Sequence, residues 1–304
     1  MPQASRDIQR RIKSVKNTKK ITKAMELVSA AKMRKAVAKV LATRTYADLT
    51  WQTVLHLVKK TDTSHHPFFQ EAKEVKKVAV ILISTNRGLC GSFNLQLVNK
   101  VVSSIKLHHP ETRVTDLITF GKKGRDEARR HHINITADFT KEDITESSEK
   151  IRSIAYLITQ EFLAKKYDKV FVAYTDFMSS LKQVPHVKQL LPIVPTIDER
   201  LGHIIHEKNK VEEINVSSFS DFLFEPSTRS VLDAFLPRLV EVQIYQAVLE
   251  SEASEHSARM FAMRNASDAA SEMIDDLSLA YNQARQAGIT AEIAEIAAGS
   301  AALE

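Results

Sequence analysis

Between Leu239 and Ala284, apolar side chains return at alternating steps of three and four. Positions 239, 242, 246, 249, 253, 256, 260, 263, 267, 270, 274, 277, 281 and 284 read Leu, Val, Gln, Leu, Ala, His, Met, Met, Ser, Ala, Ile, Leu, Tyr and Ala. Eleven of these fourteen are apolar. A 3.5-residue period held that long predicts a left-handed coiled coil rather than an ordinary globular helix. The first sixty residues carry a looser stripe: Ile8, Ile12 and Val15, then Ile21, Ala24, Val28 and Ala31, then Met33, Val37 and Val40, then Ala47, Trp51, Val54 and Val58. This seam is expected to drift around its helix, with Ser14, Ser29, Ala30 and Ala31 permitting close approach and Trp51 as a core anchor. Ser5 and Asp7, just after Pro2, form a plausible helix entry. Each arm alone would expose its seam, and pairing the two in one antiparallel coiled coil covers both.

The middle of the chain changes period. Val78–Ser84 is a continuous apolar run of the kind buried in parallel sheets. The pattern then predicts a helix over 93–107, a strand over Val114–Phe120, and helices over about 121–131 and 144–166. Lys169–Tyr174 and Gln189–Val194 are further expected strands. The resulting fold class is mixed α+β and α/β: a long antiparallel coiled coil of the N- and C-terminal helices (1–60 and 227–304) plus a central, Rossmann-like α/β domain (75–225) with a mostly parallel sheet.

Composition supports this division. The 304 residues include only 7 Gly and 8 Pro, where average usage would give roughly 36. Residues 3–66 and 238–287 contain neither, so the breakers are concentrated in the middle. The deficit excludes collagen-like and linker-rich chains and argues against an all-β protein. One cysteine, Cys90, excludes a disulfide framework and a multi-cysteine metal site and points to a reducing compartment. No apolar run approaches the roughly 18 residues of a membrane span, and the first residues lack the apolar stretch of a secretory signal. A soluble chain with no direct membrane insertion is expected.

Charge is divided the same way. Residues 1–60 hold 15 Lys+Arg against 3 Asp+Glu, a net of +12, and residues 238–304 hold 4 against 11, a net of −7. The whole-chain value of +6 therefore hides a basic arm and an acidic arm. Arg10, Arg11, Lys13, Lys16, Lys19, Lys20 and Lys23 crowd the first helix, so an acidic partner is expected. The bland reading of this run is a solvated face, or bridges to the opposite arm. No zipper-type basic region is recognisable, because the basic segment runs directly along the proposed coiled-coil seam.

Candidate chemistry is sparse. Ser84–Asn94 follows a strand and precedes a helix, where phosphate loops sit, but it is neither G-x-G-x-x-G nor a Walker motif and reads as a tight βα turn. Cys90 has no assignable His partner and reads as inert. The pairs His65/His66, His108/His109 and His131/His132 lack companions at ligand spacing and read as exposed loop residues. Met25 and Met33 read as packing residues. No catalytic residue, cofactor or metal site is expected. The physical features alone leave open a nucleic-acid-binding or structural coiled-coil protein, and an α/β enzyme using the Gly88–Gly91 loop.

Several segments, in order and nearly end to end, resemble the gamma subunit of F-type ATP synthase. Ile12–Lys35, IKSVKNTKKITKAMELVSAAKMRK, is similar to that family's first helix. Arg87-Gly88-Leu89-Cys90-Gly91 resembles its loop after the first strand, as do Gln183-Val184-Pro185 and Leu190-Leu191-Pro192 its later segments. Ser254–Met263 is similar to its S-E-x-x-A-R-M-x-A-M, and Ile289-Thr290, Glu292, Glu295 and Gly299 to its closing pattern. Ser300 stands where the family has Ala, His256 occupies the seam and could make packing there pH-dependent, and the two-cysteine insert of the plant chloroplast form is absent.

The resemblance implies a non-catalytic rotor shaft that couples proton flow to the cycling of catalytic beta subunits. Its implied partners are the alpha and beta subunits of the hexamer, the epsilon subunit and the membrane c-ring, with no nucleic acid. Its implied place is peripheral, at the cytoplasmic face of the cell membrane. The apolar C-terminal tip would turn in an apolar sleeve of the hexamer. Lys20, Lys23, Met25, Arg34 and Lys35 become candidates for contact with beta loops. Arg259, Arg264, Gln283, Arg285, Thr290 and Glu292 become candidates for coupling contacts on the last helix.

Overall fold

The computed structural model describes residues 3–60, 66–72, 74–108, 114–141, 144–194, 225 and 227–301. His65, His109, the poorly matching stretch 196–215 and the tip beyond Ala301 lie outside the described residues. Ten helices and strands are described, besides a single 3-10 turn at Pro67–Phe69: α1 (Gln3–Lys60), β1 (Lys77–Ile83), α2 (Phe93–His108), β2 (Val114–Phe120), α3 (Lys122–Arg130), β3 (Asn134–Phe139), α4 (Ile144–Leu163), β4 (Lys169–Phe177), β5 (Gln183–Leu191) and α5 (Thr228–Ala301).

The strands form one sheet in the order β3-β2-β1-β4-β5. β1 pairs in parallel with β2 and β4, β2 with β3 likewise, and β5 runs antiparallel to β4. β1 lies at the centre because its Val, Ala, Ile and Leu side chains can be buried on both faces. Val78, Val80 and Leu82 meet Leu97, Val98 and Val101 of α2 and Ala128 of α3. Ala79, Ile81 and Ile83 point the other way, into a core shared with Ile151, Ile154 and Ile158 of α4, with Trp51 and Val54 of α1, and with Leu236, Ile244 and Val248 of α5.

Two strands differ from expectation, and both are edges. β3 has no counterpart in the sequence reading: Asn134, Thr136 and Asp138 alternate with half-buried Ile135, Ala137 and Phe139, a polar pattern that an edge strand tolerates. The strand expected at 189–194 spans Gln183–Leu191 instead. It holds Pro185 and Lys188, residues admitted at an edge, and it stops before Pro192, which has no N–H to continue the ladder. A short turn joins it to β4, with Ser179 N donating to Lys182 O at 3.1 Å.

The chain divides into two compact units, Met1–Ala31 with Arg259–Glu304, and Lys32–Ala258. The division cuts both long helices rather than separating helices from sheet. In the larger unit, α1 and α5 run antiparallel. Ala36 and Val40 pack with Leu249 and Ala253, and Thr43 Oγ1 donates to Gln246 Oε1 at 3.0 Å. Here α5 is buried on nearly every side, from Leu239 to Ser257, because it faces α1 and the sheet at once. Pro237 sits inside α5, where its missing N–H leaves the Asp233 carbonyl without a helical donor.

In the smaller unit the two helices share a narrow seam, and it corrects the expected stripe. Ile21 and Val28 are exposed, while Thr22, Glu26 and Ser29 are the buried positions along this stretch of α1, with Ser5 buried nearer its start. Thr22 and Ser267 hydroxyls bond at 2.7 Å across the pair, and the Ser267 hydroxyl lies 2.9 Å from the carbonyl of Met263. Apolarity therefore misplaced the seam by one position, since hydroxyl pairs satisfy buried polar atoms as well as methyl groups fill space. The heptad positions of α5 from Met263 to Ala284 are all buried or half-buried, as the period predicts.

Candidate partner-contact surface

The first turns of α1 place cations outward. Lys13, Lys16, Lys19 and Lys20 are exposed and, among the described residues, carry no ion pair. They rim an open groove of about 1360 Å³ whose apolar floor includes Ile12, Ala24, Leu27, Ile274 and Tyr281. A cross-helix ion pair described in this unit runs against the net charges of the two arms. It joins Arg264 Nε to Glu26 Oε1 at 3.4 Å, an arginine of the acidic arm on a glutamate of the basic one. Lys23 Nζ reaches the other oxygen of the same carboxylate at 2.9 Å. Glu26 is the node of this cluster. Its sequence neighbours gave no sign of it, because one acid amid many bases reads as an exposed counter-charge, yet it is buried.

The remaining singled-out residues are dispersed. Met25 is half-buried, and Arg34 and Lys35 are exposed. Arg259 is buried, while Gln283, Arg285, Thr290 and Glu292 are exposed. Thr290 Oγ1 bonds back to Gln286 O at 3.0 Å within its own helix. Ile289, Ile293 and Ile296 are exposed around them, leaving an apolar helical end in solvent.

Ligands of open α/β sheets bind beyond the carboxyl ends of strands where connections diverge, here between β1 and β4. That place is filled. Ser251 Oγ of α5 donates to Ile83 O at 3.4 Å, and Ser257 Oγ donates to Ser180 O at 2.6 Å. Gln183 Nε2 reaches Ser257 Oγ at 3.3 Å. Lys141, just beyond β3, forms a buried ion pair with Glu255 at 2.9 Å, and its carbonyl accepts from Asn86 Nδ2. The loop after β1 is closed on itself: Thr85 N donates to Asn94 Oδ1 at 3.2 Å, Asn94 Nδ2 reaches Thr85 Oγ1 at 2.9 Å, and Thr85 Oγ1 donates to Arg87 O at 2.8 Å. Cys90 is buried beneath it. The Gly88–Gly91 loop is thus a βα turn with its polar groups engaged. The part played by Ser251 and Ser257 in lining this strand-end crevice depends on tertiary contacts and has no signal in the sequence.

The histidine pairs are not uniformly exposed loops. His66 is buried and caps the Pro67–Phe69 turn, accepting from Phe68 N at 3.3 Å through Nδ1, with Nε2 3.0 Å from Asp233 Oδ1. His131 and His132 are exposed. His256 is buried on the α5 seam, 3.7 Å from Glu252.

A family model described as ATP synthase matches residues 4–303. The ATP synthase gamma chain of Chloroflexus aurantiacus is 40% identical over 302 residues, covering 99% of this chain and 99% of that one. That of Roseiflexus castenholzii is 43% identical over 301 residues, covering 99% and 98%. Among solved structures, a chain of the Euglena gracilis mitochondrial ATP synthase OSCP/F1/c-ring assembly shares the fold, with a TM-score of 0.63 at 18% identity over 99% of this chain and 94% of that one. A chain of the Tetrahymena thermophila central stalk/c-ring structure matches with a TM-score of 0.57 at 22% identity over 81% and 99%. With basic α1, heptad-bearing α5 and an occupied strand-end crevice in one chain matched from end to end, the protein belongs to the ATP synthase gamma-chain family.

Proposed function

We propose that the chain is the central rotor shaft of an F-type ATP synthase, a non-catalytic subunit that couples ion flow through the membrane sector to conformational cycling of the catalytic beta subunits. The observation that carries this reading is the filled crevice. Among the described residues, the strand-end crevice where α/β sheets hold ligands is occupied by Ser251 and Ser257 of the chain's own helix, so the sheet anchors α5 there. Two long, nearly breaker-free helices suit an element that transmits force. The exposed lysines of α1 suit acidic loops of the beta subunits, and the exposed apolar end of α5 suits an enclosing sleeve. Alpha, beta and epsilon subunits and the c-ring are the proposed partners, and the cytoplasmic face of the membrane the proposed place. A shaft that offers different contacts to different beta conformers shifts their relative energies without chemistry of its own.

The test is co-purification. A tagged chain extracted from membranes should bring down alpha and beta subunits in about three copies each. Recovery with neither would refute the assignment. Family membership disfavours the nucleic-acid-binding alternative.

A further inference from the structure

Two carboxyl groups lie buried where α5 meets the sheet, outside the surfaces described above. Asp176 on β4 is 8% exposed and Glu250 on α5 is 1% exposed. They are within hydrogen-bond reach of each other. Each has an inward oxygen, Asp176 Oδ1 and Glu250 Oε2, with no hydrogen-bond donor among the described residues. The second Glu250 oxygen accepts from Gln246 Nε2 at 3.2 Å, and Gln246 Oε1 accepts from Thr43 Oγ1 of α1. Two ionised carboxylates here would combine desolvation with like-charge repulsion. One proton between them supplies the single donor that both orphaned oxygens lack.

The surrounding charges agree. Burial pushes the Glu250 carboxyl well above the usual carboxylate range, the hydrogen bond and charge of Asp176 add to this, and Gln246 and Arg44 of α1 oppose it. Tyr174 of β4 faces the same pair, and its phenol is pushed well up by burial first and then by Glu250 and Asp176. His186 of β5 stands edge-on to the Tyr174 ring at 6.0 Å.

We propose that Glu250 keeps its proton at neutral pH and donates it to Asp176, so that a shared proton fastens α5 to β4, and that alkaline pH withdraws it and loosens this helix–sheet contact. An acid with a higher pKa in the fold than in the unfolded chain stays protonated in the fold after the unfolded chain has released its proton. Its stabilising contribution is complete at acid pH, falls as pH rises between the two values, and is level above the folded one.

Infrared spectroscopy of the full-length chain at neutral pH tests this directly. A protonated carboxyl C=O band that shifts in D2O is expected in the wild type and should be lost in Glu250→Gln. As pH rises above the ordinary carboxylate range, the wild-type folding constant should fall by up to about tenfold per pH unit from this group until Glu250 itself ionises in the fold. Glu250→Gln, whose amide donates permanently, should lack that component. Asp176→Asn, which offers an amide donor to an ionised Glu250, should also lose the band and serves if the glutamine variant does not fold. A wild type without the band, or a glutamine variant with the wild-type pH slope, overturns the proposal.

Discussion

Gly121 has a φ of 120°, and a Cβ built on it would lie 2.5 Å from the carbonyl oxygen of Ser84. The close approach is fixed from both sides, because Ser84 N donates to Phe120 O at 2.9 Å and Gly124 N donates to Ser84 Oγ at 2.9 Å. Gly121→Ala combines a backbone region that side chains disfavour with a collision against backbone. It should lower stability by about 1–3 kcal/mol, read from urea denaturation of the full chain. Stability equal to wild type would show that the β1 and β2 ends can separate freely. The need for glycine at this residue was hidden in the sequence, because a glycine opening α3 reads as a simple helix entry. The cations at Lys20 and Lys23 were plain from charge density. Glu26 was not, because whether a carboxylate is buried between two helices depends on the helix rotation, and exposed Ile21 and Val28 suggested the wrong rotation.

At the scale of elements, α5 lives under two regimes. Leu249 lies in the larger unit and is 0% exposed, while Leu279 lies in the smaller unit and is 61% exposed. Leu249→Ala should cost about 2–5 kcal/mol through lost burial and a residual cavity, whereas Leu279→Ala should stay within about 0.5 kcal/mol in the chain alone. Calorimetric scans of both variants decide it, and equal losses would contradict the division of labour. The heptads of α5 and the central strands β1 and β2 were legible because each has one dominant period and a buried face. Of the edge strands, β3 escaped and β5 was foreseen only at its end, since an edge satisfies one side with water and so carries polar residues that break the apolar run. The polar part of the α1 seam escaped for the related reason that its contacts are hydrogen bonds.

On the scale of the whole molecule, charge and crevice point in different directions. Among the described residues, Lys13, Lys16, Lys19 and Lys20 of the α1 groove are exposed without an ion pair, while Lys23 is held by Glu26 at 2.9 Å; the proposed partner contact is tested on one lysine of each kind. Lys20→Glu with Lys23→Glu should weaken assembly-dependent ATP synthesis more than it lowers folding stability, and should flatten the dependence of binding on salt. Activity of the purified complex beside thermal melting of the free chain measures the two losses. Matching losses would remove these residues from the contact surface. The crevice carries a different lesson. In nucleotide-binding sheets the strand ends hold something that arrives and departs, and the site must be open to let it do so. Here Ser251, Glu255 and Ser257 are a resident ligand encoded by the chain itself, permanently bound by being covalently attached. The sheet's affinity for them is never lost to dilution, and what other α/β domains use for exchange has become a joint.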